Sequence, residues 1–136
     1  MGCMLYRFET EVPLRWVDVD SAGVVNNAVY LSLMEQARFA YFSHLGLMED
    51  HQVPFVLAEA TVRWRRPGKL GMAISVAAAT TRLGSSSFHM RYEVRAGDSV
   101  LCDAEAALVF VGEDLAPAPI PEHVRDAVAQ FEGLDA

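Results

Sequence analysis

Two aspartates, a glycine and two asparagines stand directly before a long apolar stretch. The run Asp18-Val19-Asp20-Ser21-Ala22-Gly23-Val24-Val25-Asn26-Asn27 leads straight into Ala28–Leu45. If the second segment is a helix, its first N–H groups lack intrahelical partners and can polarise a carbonyl oxygen. A carboxylate beside them can attack that carbonyl or activate water. These residue types suit acyl transfer, and hydrolysis of a thioester is the expected reaction. A second feature is cationic. Arg63, Arg65, Arg66 and Lys69 place four of the eleven Lys and Arg residues within seven positions, in a chain of net charge −7. Such a cluster can hold phosphate groups. As a strand face followed by a turn, it can equally be solvated surface.

Hydrophobic period sets the elements that must position these residues. Met4–Val17 reads as a half-buried strand, with Met4, Tyr6, Phe8, Val12, Leu14 and Trp16 on the inner parity. Pro13 removes a ladder donor and marks an edge or a bulge. Ala28–Leu45 reads as a helix of roughly 27 Å at ~1.5 Å per residue. Asn26 or Asn27 can cap it, and Gly46 can end it. Its apolar residues cover most of the circumference, so a curved sheet is expected to wrap it. Glu49, Asp50, His51 and Gln52 fall in a wet connection. Phe55–Arg66 is the second strand, with Val56, Ala58, Ala60, Val62 and Trp64 on one face. Pro67-Gly68 is a turn. Ala73–Leu83, Ser87–Ala96 and Ser99–Val111 complete a five-stranded antiparallel sheet, the last two joined by a Gly97-Asp98 hairpin turn. Pro117, Pro119 and Pro121 exclude regular structure before a short helix over 122–131, with Val124, Val128 and Phe131 on one stripe. The tail after it is expected to fray. The architecture is a single α+β domain over 1–136, a long central helix wrapped by a curved antiparallel sheet.

Composition narrows the function classes. At 52% hydrophobic and 21% charged the chain can bury a core. Its acidity argues against nucleic acid as a partner. The N-terminus lacks the signal-peptide pattern, and Ala28–Leu45 is interrupted by Ser32, Glu35, Gln36 and Arg38, so no membrane association and a cytoplasmic setting are expected. Cys3 and Cys102 suit free thiols, with Cys102 in the core. His44, His51, His89 and His123 show no ligand spacing, and no metal is expected. Ser85–Ser87 is not a serine-hydrolase elbow, and no phosphate-loop or dinucleotide fingerprint appears.

The run Asp18–Tyr30, with Glu35-Gln36-Ala37-Arg38 behind it, resembles the signature of the hot-dog fold thioesterases of the 4-hydroxybenzoyl-CoA thioesterase type. That signature looks like D-x-D-x-x-G-[HVI]-V-x-[NH]-A-x-Y followed by E-x-A-R on the helix. Arg66-Pro67 and Ser85-Ser86-Ser87-Phe88 extend the resemblance across most of 5–112. The resemblance implies the hot-dog fold, homodimers joined sheet edge to sheet edge and extending to homotetramers, and active sites at the dimer interface. It implies an acyl-CoA substrate, with coenzyme A present only as part of that substrate and no separate cofactor. In one branch the catalytic carboxylate is the second Asp, here Asp20, and the oxyanion donor is a helix-start N–H, here that of Asn27. Another branch uses a glutamate on the helix, which makes Glu35 the rival. The substrate would then contact Gly23, Val24, Val25 and Tyr30, and the phosphates Arg63, Arg65, Arg66 and Lys69. Asp18 is expected to be structural. Val24 stands where many relatives carry His, and Met72 where many carry an acidic residue. Two other expectations share the fold: a thioesterase for acyl groups on acyl carrier protein, and an acyl-CoA binder that does not hydrolyse.

Overall fold

The computed structural model describes residues 6–48 and 54–135. Met4, Cys3 and the Glu49–Gln52 connection lie outside the described residues. The elements run β1 (Phe8–Glu11), a 3-10 turn (Trp16–Asp18), α1 (Val29–His44), β2 (Phe55–Trp64), β3 (Ile74–Leu83), β4 (Ser87–Ala96), β5 (Ser99–Phe110) and α2 (Glu122–Glu132). The five strands form one antiparallel sheet in the order β1-β3-β4-β5-β2. The expected fold class holds: α1 lies on one face of this sheet.

Strand β4 shows why the core forms where it does. Phe88, Met90, Tyr92 and Val94 are buried, while the alternating His89, Arg91, Glu93 and Arg95 are half-exposed. The inner row meets the α1 stripe Tyr30, Leu33, Met34, Ala37, Tyr41 and Phe42. Each large apolar side chain moved from water into this core contributes about 1.5–3 kcal/mol. Helix α1 ends at Gly46, whose φ of 74° lets the Leu47 N–H reach the Phe42 carbonyl at 2.9 Å.

Three expectations are corrected. The first strand is short, and Trp16 does not face inward. Pro13 offers no N–H, and Asp18 takes the Arg15 N–H at 2.8 Å, bending the chain into the 3-10 turn. Trp16 is left 78% exposed. In β2 the expected apolar face is split, because the register against β5 shifts between Leu57 and Glu59. One extra residue, Ala58, moves Val56 to the face opposite Ala60, Val62 and Trp64. Finally, the sheet does not close over α1 at its β2 edge: Leu31 and Phe39 remain 42% and 45% exposed there, beside Phe55, Val56 and Leu57.

Helix α2 docks Val124, Val128 and Ala129 into the core. Its C-terminal end is tied down rather than frayed. Glu132 Oε2 accepts the Tyr41 hydroxyl at 2.6 Å and the Thr80 N–H at 2.8 Å. Arg7 donates to the Phe131 carbonyl at 2.7 Å. No described helix is long and apolar enough to cross a membrane.

Candidate active site

The 18–27 loop is a miniature hairpin. Val19 and Val25 form an antiparallel bridge, the Asp20 N–H donates to Val24, and the Gly23 N–H returns to Asp20 at 3.0 Å. Gly23 sits at φ 76°, where a side chain would be strained. Asp20 thus stands at the tip. Its Oδ1 accepts the N–H groups of Ala22 at 2.9 Å and Val24 at 3.2 Å. Its Oδ2 has no partner among the described residues, and the side chain is exposed. One oxygen fixes the carboxylate and the other is available.

Asp18, two residues earlier, is in a different state. It is buried and accepts the Arg15 main-chain N–H and both sides of its guanidinium, at 2.9 and 3.3 Å. The Arg15 side-chain hydrogen bonds hold its carboxyl below the ordinary carboxylate range, against the opposing effect of burial. Its carbonyl accepts the Asn26 N–H at 2.9 Å, closing the loop.

The chain then enters α1. Asn26 does the capping: its Oδ1 accepts the Ala28 N–H and its carbonyl the Val29 N–H, both at 2.9 Å. The Asn27 N–H is left without a partner among the described residues. The same peptide unit is anchored through the Asn26 carbonyl, and the Asn27 carbonyl accepts the Trp64 indole N–H at 3.3 Å, which fixes the next unit against the end of β2. An anchored peptide with a free N–H at a helix start can donate to an oxyanion.

Gly68 positions the loop from below, a role that its place in a Pro-Gly turn did not signal. Its carbonyl accepts the Val25 N–H at 2.8 Å. A Cβ there would stand 2.9 Å from Tyr30 Oη and 3.1 Å from Val25 Cγ2. Val25 and Tyr30 are accordingly buried beneath the loop, so the structure places both in its support rather than on its surface. Gly23 and Val24 stay half-exposed.

The cationic cluster divides. Arg63 and Arg65 both grip Asp103, at 3.0 and 2.6 Å, on the sheet face away from α1. Burial would raise the Asp103 carboxyl, but the hydrogen bonds from Arg65 and Arg63 bring it below its ordinary value. Arg66 and Lys69 are exposed and form no ion pair among the described residues. Lys69 bridges Val24 through its backbone, so it borders the Asp20 loop. Of the four cations, Arg66 and Lys69 are therefore the two outside ion pairs among the described residues.

Glu35 is not brought to Asp20. It is exposed, 3.9 Å from the largely buried Arg38, whose guanidinium donates to the Tyr92 hydroxyl at 2.9 Å. Glu35 lines a separate groove of about 650 Å³ between α1 and β2, walled by Leu31, Phe39, Phe55, Val56 and Leu57. Cys102 is buried, and burial pushes its thiol up to about 12, which removes it as a nucleophile. No cluster of metal-ligating side chains occurs among the described residues.

This architecture, one long helix on a five-stranded antiparallel sheet, is the hot-dog fold. Residues 14–128 match the family described as the Thioesterase-like superfamily, and the chain belongs to it. A Thermus thermophilus thioesterase, solved with coenzyme A and zinc, is 35% identical with a TM-score of 0.85, over 96% of this chain and 98% of that one. The acyl-CoA thioester hydrolase YbgC of Escherichia coli O157:H7 is 29% identical over 97% of this chain and 99% of its own length. The long-chain acyl-CoA thioesterase FadM of Escherichia coli K12 is 26% identical over 79% of this chain and 83% of its own. Membership stands at the level of the superfamily rather than of the 4-hydroxybenzoyl-CoA branch.

Proposed function

We propose that this chain is an acyl-CoA thioesterase in which Asp20 is the catalytic carboxylate and the Asn27 N–H the oxyanion donor. The observation that carries the reading is the half-bonded Asp20. Its Oδ1 is held by two N–H groups, and neither its Oδ2 nor the Asn27 N–H of the same loop has a partner among the described residues. Oδ2 attacks the thioester carbonyl or accepts the proton of an attacking water. The carbonyl π electrons move onto oxygen, where the Asn27 N–H and the α1 dipole stabilise them. One such donor is commonly worth ~10²–10³ in rate. The C–S bond then breaks and coenzyme A leaves as a thiolate. Where Oδ2 attacked, water next hydrolyses the Asp20–acyl anhydride, which releases the acid and restores the carboxylate, and the proton shed by the attacking water ends on the thiolate.

A second copy of the chain completes the site. Strand β2 is a ten-residue edge exposed along nearly its whole length, flanked by Leu31 and Phe39. A long bare apolar edge is a pairing surface. Two-fold pairing of β2 with itself is antiparallel, so it sets the Trp64 end of one copy against the Phe55 end of the other. The Asp20–Asn27 loop of one subunit then meets the apolar groove of its partner, which receives the acyl group.

Thiol release from a panel of acyl-CoAs, with wild type and Asp20→Asn side by side, tests the chemistry. Hydrolysis should collapse in the variant; near-full activity would move the role to Glu35. Leu57→Asp tests the assembly. Sedimentation should show a dimer for wild type and monomers for the variant, with activity lost in parallel.

A further inference from the structure

We propose that Trp16 and Leu70 form a subsite beside Asp20 for the pantetheine arm of the thioester, an inference that rests on the thioesterase reading above. Trp16 is the most exposed of the large apolar side chains, at 78%, in a chain that fills its core with smaller ones. An exposed tryptophan offers a large, rigid apolar surface with one polar handle to whatever lies against it. Its backbone is not loose. The Arg15–Asp18 hydrogen bonds close the turn around it, and its carbonyl accepts the Val19 N–H at 3.4 Å.

The indole borders an open cleft of about 370 Å³, together with Val19, Asp20, Ser21, Gly23 and Leu70. Leu70 is held there by the contacts that shape the loop: its N–H donates to Gly23 at 3.4 Å, and the preceding Lys69 bridges Val24. One carboxylate edge and one apolar wall therefore belong to the same rigid unit. The wall is apolar and the rim polar, with the Ser21 hydroxyl and exposed turn backbone. Pantetheine has this alternation of methyl and methylene groups with amides. An acyl chain needs no polar rim, and the larger groove along α1 already offers it an apolar bed. Charge points the same way. Lys69 immediately precedes Leu70 of the cleft wall, and neither it nor Arg66 is neutralised by an ion pair among the described residues, so the anionic nucleotide end finds positive potential beyond the arm.

The test uses one acyl group on two carriers, coenzyme A and N-acetylcysteamine, which lacks the outer part of the arm. Trp16→Ala should raise KM for the acyl-CoA about tenfold, the scale of one good aromatic contact, with kcat within about twofold. KM for the N-acetylcysteamine thioester should stay within about twofold, and Trp16→Phe should restore most of the acyl-CoA KM. An equal rise on both substrates, or no rise on either, overturns the proposal. So does dissociation of the Trp16→Ala protein in sedimentation, which would make Trp16 a subunit contact. Free coenzyme A should also quench tryptophan fluorescence in wild type and not in Trp16→Phe. That readout needs no turnover, so loss of the subsite and failure of the hydrolase reading give different results. Equal quenching in both proteins, or none in wild type, counts against the subsite.

Discussion

The two halves of the loop before α1 hold the same residue type in opposite states. Around Asp18 every carboxylate oxygen is bonded, and the side chain is buried. Around Asp20 one oxygen is bonded and the other has no partner among the described residues. The sheet repeats the contrast in cations: Arg63 and Arg65 are spent on Asp103, whereas Arg66 and Lys69 are not. Residue type does not separate scaffold from chemistry here. The number of unspent bonding sites does.

Substitution at the two aspartates should break the pair apart most clearly. Asp20→Asn is expected to lower kcat about 10³-fold, the scale of a positioned carboxylate, while unfolding stability stays within about 0.5 kcal/mol. Asp18→Asn should do the reverse. Losing charge-assisted bonds to a buried acceptor costs about 2 kcal/mol in urea unfolding at neutral pH, with a much smaller direct effect on the chemical step. The contrast can then be sharpened with acid. Because the Asp18 carboxyl is depressed in the folded state, its contribution is full above its unfolded value of about 4 and fades as pH falls through the folded one. The stability gap between wild type and Asp18→Asn should therefore close below about pH 4. A constant gap down to acid unfolding would show that the loss was steric.

The cations give the smallest effects and the finest comparison. Lys69→Ala should raise KM for acyl-CoA about threefold to tenfold at low salt, with the difference shrinking as salt screens it. Arg63→Ala, which removes an exposed ion pair, should change stability by less than about 1 kcal/mol and leave KM alone. If Arg63→Ala and Lys69→Ala change KM equally, paired and unpaired cations are not functionally distinct.

Much of this is legible in the sequence. Strands β4 and β5 and helix α2 lie within about a residue of their hydrophobic pattern, because each has one face buried and one wetter, whereas β3, buried on both faces over Val76–Thr80, lies within a residue of its expected bounds without such an alternation. Asp20 and Gly23 were legible as a turn, since Asp bonds nearby N–H groups and Gly accepts a positive φ. The misses share a cause. Ala58 adds a bulge that no local residue type announces. The inward parity assigned to Trp16 failed because Asp18 captured Arg15, three residues away, and redirected the chain. Gly68 is needed through its distance to Tyr30 and Val25, which lie far off in sequence. Period reads local structure well; it does not read which distant backbone will press against a given atom.

The clasp between Glu132, Tyr41 and Thr80 has a consequence for how the chain is made. Tyr41 is synthesised 91 residues before the carboxylate that accepts its hydroxyl, and Arg7 precedes its partner Phe131 by 124. Contacts of such long separation form late, after most of the loop-closure entropy has been lost. On the ribosome, the sheet and α1 can collapse early, but the Thr80 N–H and the Tyr41 hydroxyl must wait without their partner until residue 132 has emerged. During that interval the folding chain carries an unsealed core and a bare β2 edge at once, the state most exposed to aggregation.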